Sequence, residues 1–267
     1  ISNFKFQIFY KLRYIFRFYK YIWQERKNYD AVFVHMNPEY CILGGIFWRL
    51  WGKKVLLWYT HKAVNLRLRL GVSFANKVFT ASKESFRLKN KRVELVGHGI
   101  LVEVFASQPE NTSNAELSLL AVGRDSPSKD FGTAIKAVQE LKNNKNLPPI
   151  KFVIESIRNY SEMPKVYHNY HILIHTSRTG SMDKVVLEAL ASGRIVITSS
   201  EAYVGLEKDG LVYAFPAGDY QELAKTIEKI YDSGIIKQLP NRAAIEYVRK
   251  NHNLDTLVSK ITDYFSV

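Results

Sequence analysis

His171–Gly193, HILIHTSRTGSMDKVVLEALASG, is the stretch on which the reading of this chain turns. The apolar run Ile172–Ile174 reads as a buried strand, and Thr176, Ser177, Thr179, Gly180 and Ser181 turn the chain. Val186, Leu187, Leu190 and Ala191 then fall at i, i+1, i+4 and i+5, the stripe of a core-facing helix, which Gly193 closes as a C-cap. A strand that feeds straight into a helix offers unpaired backbone N–H groups and a positive helix end, and together these favour a phosphate. Glu188, on the second turn of that helix, is placed to reach an adjacent sugar hydroxyl.

Working outward, strands and helices alternate along the chain, the pattern of an α/β protein with parallel sheets covered by helices. Strands are expected at Ala31–His35, Val55–Tyr59, Lys77–Thr80, Val93–Val96, Leu117–Val122, Ile150–Ile154, His171–His175, Ile195–Thr198 and Leu211–Phe215. Helices are expected at Tyr40–Trp51, Phe131–Asn143, Lys184–Ser192, Tyr220–Ser233 and from Asn241 onwards. A hinge is expected within Glu103–Asn114, where Ser107, Gln108, Pro109, Asn111, Thr112, Ser113 and Asn114 form a polar linker. Upstream of the deciding stretch, Leu117–Gly132 reads as a second strand, basic loop and helix, with Arg124 and Lys129 in the loop.

Charge divides the chain unevenly. The net +13 resides wholly in residues 1–105, whereas residues 106–267 balance to zero. Much of the excess belongs to residues 1–23, where Lys5, Lys11, Arg13, Arg17 and Lys20 are interleaved with aromatics. That segment suits an anionic bilayer surface, or equally a helix whose aromatic face packs inward. There is no run of 18 or more apolar residues to span a bilayer. A secretory cleavage pattern is absent, and the lone Cys41 excludes an intrachain disulfide, so a cytoplasmic protein, peripheral on the membrane at most, is expected. Neither a zinc-spaced His/Cys cluster nor a Walker lysine loop occurs, so no metal site is expected.

Several of these stretches resemble the retaining glycosyltransferases of family 4, enzymes of the GT-B fold. That family carries Glu-x7-Glu across the turn, and Glu188 with Ala189-Leu190-Ala191-Ser192-Gly193 matches its second glutamate and helix. The first glutamate's place falls on Gly180, with Asp183 the nearest substitute. Arg124 and Lys129 occupy the family's places for the cations that neutralise a nucleotide diphosphate, Arg124 following the strand glycine Gly123. His61 ends Val55–His61 like the family histidine near the donor sugar. Lys77–Ser82, Val96–Ile100 and Tyr247–Leu254 match further segments, although Leu101 stands where the family usually has aspartate.

The resemblance implies two Rossmann-like domains with parallel sheets facing across a cleft. These would be a partial acceptor-side domain, 1–104, and a nucleotide-sugar donor domain, 105–267. The chain opens on Ile1, and about 105 residues before the hinge is short for the first of these, so its opening strand and glycine-bearing loop are expected to be missing. The implied reaction moves a sugar from a nucleotide-sugar to a glycan or lipid-linked acceptor with retention, without cofactor or metal. Arg124, Lys129 and His61 are its catalytic residues, and Gly123, Gly180, Ser181, Met182, Asp183, Leu187 and Glu188 bind the donor. The physics supports the two cations independently: a departing nucleoside diphosphate gathers negative charge, so fixed positive groups stabilise the transition state more than the ground state.

Each residue also has a plainer role. Glu188 could pair with Lys184, Arg124 and Lys129 could be solvated loop charges, His61 a hydrogen-bonded strand end, and Asp183 the helix's N-terminal acid. At the level of the whole chain, the alternatives are a sugar-nucleotide epimerase of the same architecture and a non-catalytic donor-binding or membrane-tethering protein. Nucleic-acid binding through the basic half ranks below these, because no recognised module accompanies the charge.

Overall fold

Short apolar runs become the strands of two parallel sheets. The computed structural model describes residues 2–107, 112, 115–156 and 159–265, with side chains from Leu12 onward. The chain begins with α1 (Ser2–Glu25), β1 (Ala31–His35), α2 (Pro38–Leu50), β2 (Lys54–Trp58), α3 (Leu66–Phe74), β3 (Lys77–Thr80) and β4 (Val93–Leu95). There follow α4 (Val102–Ala106), β5 (Leu117–Val122), α5 (Phe131–Leu141), β6 (Ile150–Glu155), α6 (Met163–Tyr167), β7 (Ile172–His175) and α7 (Lys184–Ala191). The remainder is β8 (Ile195–Thr198), β9 (Tyr213–Ala214), α8 (Tyr220–Asp232), α9 (Arg242–His252) and α10 (Leu254–Thr262).

Two compact units result, one of residues 1–80, 86–95 and 261–267, the other of residues 81–85 and 96–260. In the first, four parallel strands lie in the order β1-β2-β3-β4. Its core gathers Ile22, Val34, Cys41, Trp48, Val55, Leu57 and Val78. One side of α1 packs inward: Phe18 lies 5.6 Å from Tyr40 and 5.9 Å from Trp48, ring to ring, and Tyr19 donates its hydroxyl to Leu43 O at 3.1 Å. Its other side keeps Tyr14, Phe16 and Tyr21 exposed, together with Arg13, Arg17 and Lys20. No helix among the described residues is long and apolar enough to cross a membrane.

The second unit holds a five-stranded parallel sheet in the order β6-β5-β7-β8-β9. Its central strands are buried on both faces, which is why β5, β7 and β8 read as continuous apolar runs instead of alternating ones. One face is covered by α5 and α8, which contribute Ala134, Val138, Leu223 and Ile227. On the other, α4, α6, α7 and α9 contribute Phe105, Tyr167, Leu187 and Val248.

Three expectations change. The terminal helix is interrupted at Asn253, because Ile100 pairs there: Ile100 N donates to His252 O at 2.8 Å and Leu254 N to Ile100 O at 3.0 Å. The expected strand Leu211–Phe215 shortens to Tyr213–Ala214. The polar segment expected as a hinge begins inside α4, and its Gln108, Pro109, Asn111, Ser113 and Asn114 lie outside the described residues.

Candidate active site

Strand order creates the site. From β5 the chain passes through α5 to β6 on one side, then crosses back to β7 on the other. The loops leaving β5 and β7 therefore diverge at the carboxyl edge of the sheet, and such a reversal opens the crevice where α/β proteins bind ligands. The first loop carries Gly123, Arg124 and Lys129; the second runs from Thr176 to Asp183.

The two loops are tied together. Thr176 Oγ1 donates to Lys129 O at 2.7 Å, and Arg178 N to Ser128 O at 2.9 Å. The Arg178 guanidinium grips Asp130 Oδ2 through Nε at 2.8 Å and Nη2 at 2.7 Å. Asp130 adopts φ +48° just before α5, and its Oδ2 also accepts the Thr133 hydroxyl at 2.8 Å. At the end of β5 the Lys129 stem passes over Gly123, its Cδ and Cε atoms 3.4 Å from where a Cβ would stand, ordinary van der Waals contact.

Asp183 is the hub. Its Oδ2 accepts from Lys129 Nζ at 2.6 Å and from His175 Nε2 at 3.0 Å, while Ser181 Oγ donates to Oδ1 at 3.2 Å. His175, buried at the end of β7, meets Thr198 Oγ1 at 2.9 Å through its other nitrogen. Burial opposes ionisation of Asp183, but the His175 hydrogen bond and the nearby His175 and Lys129 charges outweigh it and hold the carboxyl well below the usual range. Asp183 does stand at the N-cap of α7, yet its side chain makes no capping hydrogen bond; its oxygens go to Lys129, His175 and Ser181 instead.

The turn's backbone is pinned from several directions. Ser85 Oγ accepts Met182 N–H at 3.3 Å, Tyr203 donates to Asp183 O at 2.6 Å, and Ser200 Oγ to Ser181 O at 3.0 Å. His98 Nε2 meets Met182 O at 2.8 Å. Since a carbonyl only accepts, that nitrogen carries the proton, and burial pushes the imidazole down to about 4, keeping it neutral.

Glu188 is buried on α7, with Tyr167 donating its hydroxyl to Oε2 at 2.9 Å. Burial raises its carboxyl pKa, partly offset by Tyr167 and the Lys184 charge. Leu187 packs its side chain wholly in the core. Arg124 is exposed, and its side chain forms no ion pair among the described residues. His61 belongs to the first unit, exposed, its Nδ1 accepting Ala63 N–H at 3.0 Å. The structure thus brings Gly123, Lys129, Ser181, Met182 and Asp183 together at one sheet edge. Sequence reasoning overlooked His175, Thr198, Tyr167, Tyr203 and Ser85; a histidine closing the strand just before the turn was the available signal for the first of them.

The family model described as Glycosyl transferases group 1 matches residues 87–233, more than half of the chain and most of the second unit. The chain belongs to that family. No curated protein sequence matches this glycosyltransferase. Among solved structures, HepE of Anabaena in complex with UDP aligns at TM-score 0.76 with 16% identity, over 92% of this chain and 81% of the other. Sucrose-phosphate synthase from Thermosynechococcus elongatus aligns at TM-score 0.70 with 15% identity, over 95% and 76%. The pneumococcal O-GlcNAc transferase GtfA, in complex with UDP and GlcNAc, gives TM-score 0.64 and 12% identity, over 91% and 58%. The α/β architecture with two parallel sheets is that of GT-B glycosyltransferases.

Proposed function

We propose that this glycosyltransferase binds a nucleotide-sugar donor in the crevice between the β5 and β7 loops and transfers the sugar, with retention, to a glycan or lipid-linked acceptor. The observation that carries the reading is the pairing of Lys129 with the Thr176–Asp183 turn at the sheet's reversal point. In the resting protein Lys129 is held by Asp183; a bound diphosphate competes for the same ammonium group. Arg124 adds a planar, bidentate donor from the same loop, and the two cations meet the charge of the leaving diphosphate in place of a metal. Glu188, with one oxygen on Tyr167, holds the donor ribose. His61 orients the donor sugar. The acceptor is carried at a membrane surface, a reading supported by the exposed aromatic and basic side of α1.

The test is calorimetry of UDP, GDP and ADP against the wild-type chain and an Arg124→Ala, Lys129→Ala double variant. Losing two charge-assisted contacts should weaken the preferred diphosphate by about a hundredfold or more. Undiminished affinity in the double variant refutes the assignment, and product analysis with and without an acceptor separates transfer from epimerisation or binding alone.

A further inference from the structure

A line of hydrogen bonds runs from the buried strands out to the crevice. Its inner end is Thr198 on β8, whose Oγ1 accepts Ser200 N–H at 3.1 Å and meets His175 Nδ1 at 2.9 Å. His175 closes β7, its ring buried and set edge-on to Tyr203 with 6.4 Å between ring centres. Past Gly180, which turns the loop at φ +64°, Asp183 returns to that ring and its Oδ2 accepts from Nε2 at 3.0 Å. The outer end is Lys129 Nζ, 2.6 Å from the same carboxylate oxygen.

His175 and Lys129 therefore share one oxygen of Asp183. Because a carboxylate only accepts, His175 Nε2 carries a proton, and hydrogen bonds to an ionised acceptor are the strong kind. Two donors on one oxygen draw on the same negative charge, so each loosens the other's hold. Without the imidazole, that oxygen falls wholly to the ammonium group. The ring itself is not free to follow Lys129, since Thr198 holds its other nitrogen and Ser199 N donates to His175 O at 3.0 Å.

We propose that His175 is a positioning residue for donor binding: it anchors the Asp183 carboxylate to the end of β7 and slackens its grip on Lys129, so that an arriving diphosphate takes the ammonium group. The inference rests on the donor-site reading above. His175 acts here through Asp183 and touches no part of the donor. Its plainer role is a tie between β7, β8 and the turn, in which Lys129 has no part. The two roles differ in one respect that can be measured, namely whether the effect of the histidine passes through the lysine.

The experiment is a mutant cycle read by calorimetry, with whichever of UDP, GDP and ADP binds wild type best. His175→Asn keeps a polar partner for Thr198 at the Nδ1 position but does not reach Asp183, whereas His175→Gln carries an amide donor out to the Nε2 position. His175→Asn should weaken the diphosphate about tenfold in the wild-type background and less than about twofold in a Lys129→Ala background, and His175→Gln should recover most of the loss. Thr198→Val, which frees the ring to turn, should show the same dependence on Lys129 at about threefold, and it carries the cycle alone if His175→Asn does not fold. Equal losses in both backgrounds, or no loss in either, overturn the His175 assignment and leave the donor site standing. Failure of every diphosphate to bind wild type overturns the donor site itself, and this proposal with it.

Discussion

The two parallel sheets differ in strand order and in charge. In the first unit each new strand is added on the same side, β1-β2-β3-β4, whereas in the second the order reverses between β5 and β7. The first unit carries 18 Lys and Arg against 5 Asp and Glu; the second carries 20 against 20. The crevice therefore arises in the neutral half, from topology. Around it the charges are spent on one another, as in Lys129–Asp183 and Arg178–Asp130. In the basic half, Arg13, Arg17 and Lys20 stay at the surface without an ion pair among the described residues. Catalytic electrostatics needs few charges in fixed places, and surface attraction needs many in loose ones.

Breaking the hub should have the largest effect. Asp183→Asn leaves Lys129 and His175 without their shared carboxylate, and urea denaturation should show a loss of about 3 kcal/mol. Because the folded Asp183 carboxyl lies below its ordinary value, its contribution is present above about pH 4 and is lost as pH falls further. The acid limb of the wild-type stability curve should accordingly be shallower in the variant.

A second probe of the neutral half is the histidine pair behind the turn. His98 and His252 are pushed down by burial from 6.5 to about 4, and His98 N donates to His252 Nδ1 at 3.2 Å. The unfolded chain takes up protons first, so stability should fall as pH drops from about 6.5 to 4, by on the order of 2 kcal/mol per histidine. His252→Asn keeps an acceptor for His98 N–H and should flatten that slope; an equal slope in variant and wild type contradicts the assignment.

In the basic half the expected effects are smaller. Arg17→Gln should weaken binding to phosphatidylserine-containing vesicles by about 1 kcal/mol, roughly fivefold, in a sedimentation assay. Lys229→Gln in the neutral half should leave vesicle binding unchanged. Smallest of all, Arg67→Gln breaks the exposed 3.2 Å pair with Glu39 and should lower the stability measured by urea denaturation by no more than about 0.5 kcal/mol.

Much of this organisation was legible in the sequence. Ile195–Thr198 and Leu117–Val122 are found because strands buried on both faces are unbroken apolar runs. The deciding turn is found because strand, glycine and helix adjoin there. The Asp183 hub was not, since Lys129, His175 and Thr198 meet only once strand order is known. For the same reason the Tyr167 hydroxyl on Glu188 was hidden, since the two residues meet only when α6 packs against α7. The break at Asn253 depends on Ile100, far away in sequence, and no local signal announces it.

The chain's return to its first unit has a practical consequence. Tyr264 lies with its ring 5.3 Å from Phe79 and beneath the Lys77 ammonium at 4.7 Å, its hydroxyl bonds Glu94, and its carbonyl accepts from Lys54 at 3.3 Å. Swapping halves between related proteins at a single junction near residue 95 would strand this clasp on the wrong parent. A viable chimera must carry the closing residues 261–265 along with the opening ones, as one inherited piece.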